Sequence, residues 1–364
     1  MSILPNFLKS HISVDELLTG RENTFDFIRF IAAVAVIFSH SFDLLPFQKE
    51  PLVTFSNGRY TIGAMSVAVF FIISGLLITQ SFHRASTFRS FVLARVLRIY
   101  PALIVVILLT VFLIGPLLTS LSLHEYFSSG LTYTYLINAL AIRINYFLPG
   151  VFLENHYANT VNGSLWTLPL EIGCYALVAS IGLLLKGRYI VGVLILLFVL
   201  AIIRWTLINP NTFYFLVGAV IFLFRYKIGT NKLVAAFSFM ILLVNLHFTS
   251  NLYLSYFITG ISLAYLIIHL GFIKTTHIKN FTKHGDFSYG LYIWAFVVQQ
   301  VTASFLPNIN FYFYFIIAVL VTLCFAGASW HLIEKPSLKL KEMIVNRLIS
   351  KGGQPGLIRL RFAK

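Results

Sequence analysis

Two ionisable residues share one face of the first long apolar stretch. Residues 25–40 read FDFIRFIAAVAVIFSH, with Arg29 near the start and His40 at the end. The eleven-residue step between them is close to three helical turns, roughly 16 Å of rise, so both side chains return to nearly the same face. Ionisable groups inside a membrane span are costly and turn towards a cavity or a partner. A fixed cation low on the stripe and a titratable imidazole high on it would suit a lined pathway that ends in general-base chemistry. The plainer reading is that Arg29 snorkels to one interface and His40 caps the other end.

Further chemistry-bearing residues fall in three clusters. VNGSLWTLPLEIGCY carries Asn162, Trp166, Glu171 and Tyr175, with Glu171 about five residues into an apolar run and Pro169 interrupting its first turns. An intramembrane carboxylate is a functional candidate, and beside His40 it would orient the imidazole tautomer. The rival reading is an interfacial aromatic belt with a snorkelled Glu. FVLARVLRIYP sets Arg95 and Arg98 at i, i+3, just ahead of the third apolar segment, where two guanidiniums on one face suit phosphate groups. Positive-inside anchoring is the alternative there. FFIISGLLITQ holds Ser74 and Gly75 in mid-segment, where small residues mean close helix packing.

Composition sets the elements that must position these groups. Of 364 residues 58% are hydrophobic and only 11% charged, with a mean hydropathy of +0.86, whereas a soluble domain carries about a quarter charged residues. The expected fold is an all-α integral membrane bundle of about ten transmembrane helices, at 26–46, 62–82, 98–119, 166–185, 189–206, 211–226, 232–248, 252–271, 287–306 and 309–334. With the N-terminus inside, 22 of the 27 Lys and Arg fall on the cytoplasmic side, which predicts both termini cytoplasmic. The net charge of +15 is then topological and gives no nucleic-acid signal. Residues 1–24 read as a cytoplasmic lead-in, 25–337 as the transmembrane domain and 338–364 as a basic cytoplasmic tail. Cys174 and Cys324 sit in apolar runs as small buried hydrophobes, and no metal-type spacing occurs. The outer loops at 47–61 and 120–165 are long enough to be functional.

Motifs in order carry a resemblance. Asp26-x-x-Arg29 with His40, Phe70-Phe71-x-x-Ser74-Gly75, Arg95-x-x-Arg98-Ile99-Tyr100-Pro101 and Trp166-x-Leu168-x-x-Glu171 with Tyr175 come first. Gly218-Ala219, Gly285-Asp286-x-Ser288-Tyr289 with Tyr292, and Ile333-Glu334-Lys335-Pro336 follow. Over roughly 25–337 the chain resembles the membrane-bound acyltransferase family 3, integral O-acyltransferases that acetylate surface glycans. The resemblance implies acetyl-CoA as a cytoplasmic acyl donor, a glycan acceptor at the outer face of the cytoplasmic (inner) membrane, and no metal. It implies Arg29, Arg95, Arg98 and Ser74 on the donor side, His40 and Glu171 as catalytic residues, and Trp166, Asn162 and Tyr175 against the acceptor. One position departs from the family pattern: Ala295 follows Trp294 where many members have a histidine. A second class of function also has ten spans and buried charges, namely a transporter or flippase of a lipid-linked sugar or small anion. Affinity for coenzyme A separates the two.

Overall fold

The computed structural model describes residues 13–19, 24–46, 49–85, 87–184, 209–273, 277–278, 281 and 285–350. The expected segment 189–206 lies outside these residues, as do Lys186, Arg188, Arg204, Lys274, Lys279, Lys283 and everything after Ser350. The described chain is helical, with two isolated β-bridges and no strand.

A short α1 (Val14–Thr19) precedes α2 (Phe25–Leu44), a turn of helix α3 (Pro51–Phe55), and the long α4 (Ile62–Arg84) and α5 (Phe88–Leu109). After α5 a π turn and a last helical turn run to Leu118, and α6 (Leu123–Ser128) and α7 (Gly130–Thr134) lie in the long loop that follows. A 3-10 turn, Gly163–Thr167, leads into α8 (Leu168–Leu184). Then come α9 (Pro210–Leu223), α10 (Lys232–Phe248), α11 (Leu252–Gly271), α12 (Ser288–Phe305) and α13 (Phe311–Ser329), with α14 (Lys335–Ser350) after a π turn at Trp330–Glu334. Among the described residues, six stretches are long and apolar enough to cross a membrane: α2, α4, α5 through Leu118, the 3-10 turn with α8, α11, and α13 into α14. α9 and α10 are shorter apolar helices.

Local chemistry starts many of these helices. Thr61, Asn209, Asn231, Asn251 and Asn310 each accept a bond from a backbone N–H in the first turn of the helix they precede. Thr87 and Ser90 form a reciprocal capping box. These caps satisfy donors that lipid would leave orphaned. The capping box also moves a boundary: α5 begins at Phe88, so Arg95 and Arg98 lie in its second and third turns rather than ahead of the span.

Packing centres on two contacts. α4 and α9 meet through reciprocal glycines: a Cβ on Gly75 would lie 1.9 Å from the Phe215 carbonyl oxygen, and one on Gly218 2.0 Å from that of Ile72. Backbone-to-backbone approach of this kind is how helices associate where burial of apolar surface gives no drive. α12 is buried along most of its length and packs between α2 and α13. Its Gln299 and Gln300 are fully buried, which makes it a polar-cored central helix rather than a lipid-facing one. Cys174 is buried as expected, whereas Cys324 is exposed on the outer surface of α13.

Candidate functional site

The cations near the start of α2 and in α5 do not stand free. Asp286, just ahead of α12, accepts from Arg29 Nη1 at 2.8 Å and from Arg98 through the same Oδ2. Its Oδ1 accepts from the Ser288 backbone N–H and hydroxyl. Arg98 also reaches Glu334 at 3.2 Å, where the π turn after α13 brings that carboxylate into the bundle beside Ser329. The Arg98 guanidinium lies over the rings of Tyr289 and Trp330, 5.6 and 5.9 Å from their centroids. Gly285, at φ +128°, is obligatory here, because a Cβ would sit 2.0 Å from Trp330 Nε1. Arg98 is therefore held between helices by Asp286 and Glu334.

Arg95 is different. Its nearest side-chain partner is the Ser81 hydroxyl at 3.4 Å, its Nε is buried without a partner, and it lies 5.9 Å over the Tyr175 ring. Among the described residues no carboxylate comes within ion-pair distance of it. Of the three expected phosphate-binding arginines, Arg95 is the one with no ion pair among the described residues, although Glu171 lies near enough to act on its charge; Arg29 is shared between Asp286 and a cavity.

That cavity, narrow at about 50 Å³, lies between α2, α4, α8 and α12. Arg29, Ser74 and Glu171 line it together with Phe70, Thr167 and Tyr292. Glu171 accepts from the Tyr175 hydroxyl, and Thr167 and Tyr292 share a hydrogen bond at 2.8 Å. Phe70 and Tyr292 face each other at 5.7 Å between ring centroids.

His40 is not a wall of this cavity, and the expected Glu171–His40 pair does not form. Depth explains it. His40 lies one turn below the end of α2, about 6 Å, whereas Glu171 follows the whole 3-10 turn and part of α8, about 14 Å from Gly163 at roughly 2.0 and 1.5 Å per residue. Glu171 thus belongs with Tyr175 and the arginines.

The His40 ring packs edge-on against Phe296 of α12 at 5.2 Å, and its Nδ1 is buried with no hydrogen-bond partner. Gly163 lets the 3-10 turn close on the same ring, since a Cβ there would lie 2.7 Å from Phe296. One turn further along α12, Gln299 donates to the Ile37 carbonyl at 2.9 Å and the Ser41 hydroxyl at 3.1 Å, bracketing His40 on α2. Its own Oε1, like Ser164 Oγ, is buried and unpartnered. Three orphaned polar atoms from α2, α12 and the 3-10 turn are uncommon in a packed interior and mark a place kept for something other than packing.

The expected acceptor residues separate. Trp166 is 39% exposed. Asn162 is consumed by structure: it donates to the Ile293 carbonyl at 2.9 Å and accepts from the Ser164 N–H, capping the 3-10 turn. Tyr175 is buried beneath Arg95, and its hydroxyl donates to Glu171. Asp286, Glu334, Tyr292 and Gln299 were given no role by the sequence reading. Two adjacent glutamines inside an apolar segment were the available signal for Gln299.

An all-helical membrane bundle with a half-buried imidazole near one end and an arginine–carboxylate network at the other defines a class, and the comparisons agree with it. The acyltransferase domain of acyltransferase family 3 matches residues 22–331. The chain is 29% identical over 339 residues to an O-acetyl transferase of Shigella phage Sf6, covering 86% of this chain and 96% of that protein. It is 26% identical over 383 residues to nodulation protein 10 of Rhizobium leguminosarum bv. viciae, covering 92% and 98% respectively. No solved structure matches. The chain belongs to acyltransferase family 3.

Proposed function

We propose that the protein is an integral membrane O-acyltransferase that moves an acyl group, acetyl in the simplest case, from cytoplasmic acetyl-CoA to a hydroxyl of an extracytoplasmic glycan. Family membership and the phage relative's name support the reaction class. The observation that carries the site is His40, on α2 between the arginine-lined cavity and the opposite end of the bundle, with a buried, unpartnered Nδ1. In this reading ten spans cross the cytoplasmic membrane with both termini inside, as the lysine and arginine distribution supports.

Arg95 holds the nucleotide phosphates, its guanidinium being the one in no ion pair among the described residues. The thioester arm runs past Arg29 and Ser74 and between Phe70 and Tyr292 towards His40. There the imidazole accepts the sugar hydroxyl proton as that oxygen attacks the thioester carbonyl. The tetrahedral intermediate expels the CoA thiolate, which takes the proton from the imidazolium. The products are the sugar ester and free CoA. Glu171 holds the Tyr175 hydroxyl under Arg95, and Trp166 offers an exposed ring to the acceptor.

The test is thermal stability of the detergent-purified protein with acetyl-CoA. Wild type is stabilised; Arg95→Ala loses the stabilisation; His40→Ala keeps it and loses transfer. A folded wild type that no acyl-CoA stabilises would refute the reading and favour a transporter.

A further inference from the structure

A second, larger cavity opens at the far end of α2. It has a volume of about 610 Å³, and Leu44, Ser120, Glu154, His156, Ser304 and Asn308 are among its walls. Leu44 is four residues beyond His40, so it lies on the same helix face one turn, about 5–6 Å, further out. Phe296, the ring against His40, also packs on Tyr157 of the loop that forms the cavity wall, with centroids 5.9 Å apart. The cavity floor and the imidazole are thus neighbours along one helix and across one aromatic contact.

The wall is a preformed loop. Gln300 of α12 donates to the carbonyls of Tyr157 and Thr160, both at 2.7 Å. Asn155 spends its whole amide on the scaffold: it donates to the Gln300 carbonyl and side chain at 3.0 and 2.7 Å and accepts from the Ser304 hydroxyl at 2.9 Å. On the opposite side Ser120 N–H donates to the Gly150 carbonyl at 2.9 Å and the Thr119 hydroxyl to that of Pro149 at 2.8 Å. Phe152 is held at φ +56°, an uncommon conformation for a bulky residue and one that clusters at ligand sites.

The two residues flanking Asn155 do the opposite. Glu154 and His156 are exposed to the cavity and make no hydrogen bond or ion pair with another described residue. A rigid loop that presents a carboxylate and an imidazole, both unspent, on either side of a fully spent asparagine is built for an external ligand. Its volume, about 610 Å³, falls within the roughly 300–1,000 Å³ that encloses a drug-sized molecule. Among the lining residues there is no lysine or arginine, and Glu154 is the one carboxylate. Such a lining offers hydrogen-bonding groups to sugar hydroxyls and no lysine or arginine to pair with a uronate or phosphate.

We propose that this vestibule is a glycan-binding site for an uncharged oligosaccharide, with Glu154 and His156 gripping its hydroxyls and delivering one of them to His40. The delivery rests on the acyltransferase reading; the binding does not. The probe is an array of uncharged oligosaccharides and of uronate- or phosphate-bearing ones, exposed to full-length protein in detergent. The variants are Glu154→Gln with His156→Ala, both at exposed positions without partners to lose, and the control is their stabilisation by acetyl-CoA.

Wild type should retain uncharged glycans, and the double variant should bind them at least tenfold more weakly with acetyl-CoA stabilisation intact. Wild-type affinity in the variant, a preference for acidic glycans, or no glycan retained by folded wild type would each overturn the site. Unchanged glycan binding in the variant beside normal acyl transfer would remove the vestibule and leave the enzyme. Glycan binding lost in the variant, with no acyl-CoA stabilising even the wild type, would leave the vestibule and remove the enzyme.

Discussion

Replacing Asp286 with asparagine separates the structural arginine from the binding one. Asp286 is the shared anion of two guanidiniums in a place where the three side chains are only 13%, 21% and 15% exposed for Asp286, Arg29 and Arg98. Asparagine keeps the shape and, with its oxygen on Ser288, those two bonds, but its NH2 replaces the Oδ2 that accepts from both guanidiniums, so the charge and both arginine bonds are lost. Arg29 is then left with Asp26 at 4.0 Å, a partner that is itself 45% exposed, while Arg98 keeps Glu334 at 3.2 Å. Stripping one partner from a buried ion pair costs about 3–5 kcal/mol. The surviving contacts put Asp286→Asn at the low end, about 3 kcal/mol. Unfolding in mixed detergent–SDS micelles, followed by tryptophan fluorescence, measures it. Arg98→Met should also destabilise, and the double variant should fall short of the sum by at least about 1 kcal/mol, because both changes break one network. Additivity to within about 0.5 kcal/mol would refute the bridge. So would an Arg98→Met protein of unchanged stability that no longer responds to acetyl-CoA, since Arg98 would then be reading phosphate.

Other outcomes follow from the packing and the site. Gly75→Ala forces its Cβ against the Phe215 carbonyl and should cost about 1–3 kcal/mol or more; Gly173→Ala in α8, with nothing within 4 Å of the new Cβ, should gain up to about 1 kcal/mol. Equal stabilities in the same unfolding assay would contradict the glycine contact between α4 and α9. Asn162→Ala removes two buried bonds and should lose about 1–3 kcal/mol of stability together with activity. Trp166→Ala should leave stability within about 1 kcal/mol yet raise the KM for the glycan several-fold; a normal KM would take the indole out of the acceptor site.

Much was legible in the chain because helical membrane segments announce themselves locally. A run such as FIAAVAVIFS or FFIISGLLIT needs only its own hydropathy to be read as a span, and the spacing of Arg29 and His40 needs only the helical repeat. The motif series from Asp26 to Pro336 carries the family resemblance in the sequence alone. What the chain did not disclose was which charge answers which. Arg29 finds Asp286, 257 residues away, and Arg98 finds Glu334, 236 away. Periodicity reports the face and depth of a residue within one helix and is silent on the neighbour across it.

Glu171 makes the point most sharply. From its position in an apolar run it was placed beside His40. The 3-10 turn at Gly163–Thr167 and the helix after it carry it inward instead, to Tyr175 and the cavity beside Arg29. Asn162, equally polar and equally suggestive in sequence, became a cap because lipid and protein leave no water to satisfy the start of that turn. Conversely, Glu154 and His156 lay in a long polar loop where nothing in the sequence set them apart, and only the anchoring of Asn155 by Gln300 turned them towards one cavity. The sequence by itself determined a helical membrane acyltransferase with an arginine low and a histidine high on its first long helix. Tertiary structure alone decided which buried charges were already neutralised, because pairing across helices depends on how whole helices are brought together, and one helix's pattern does not contain that.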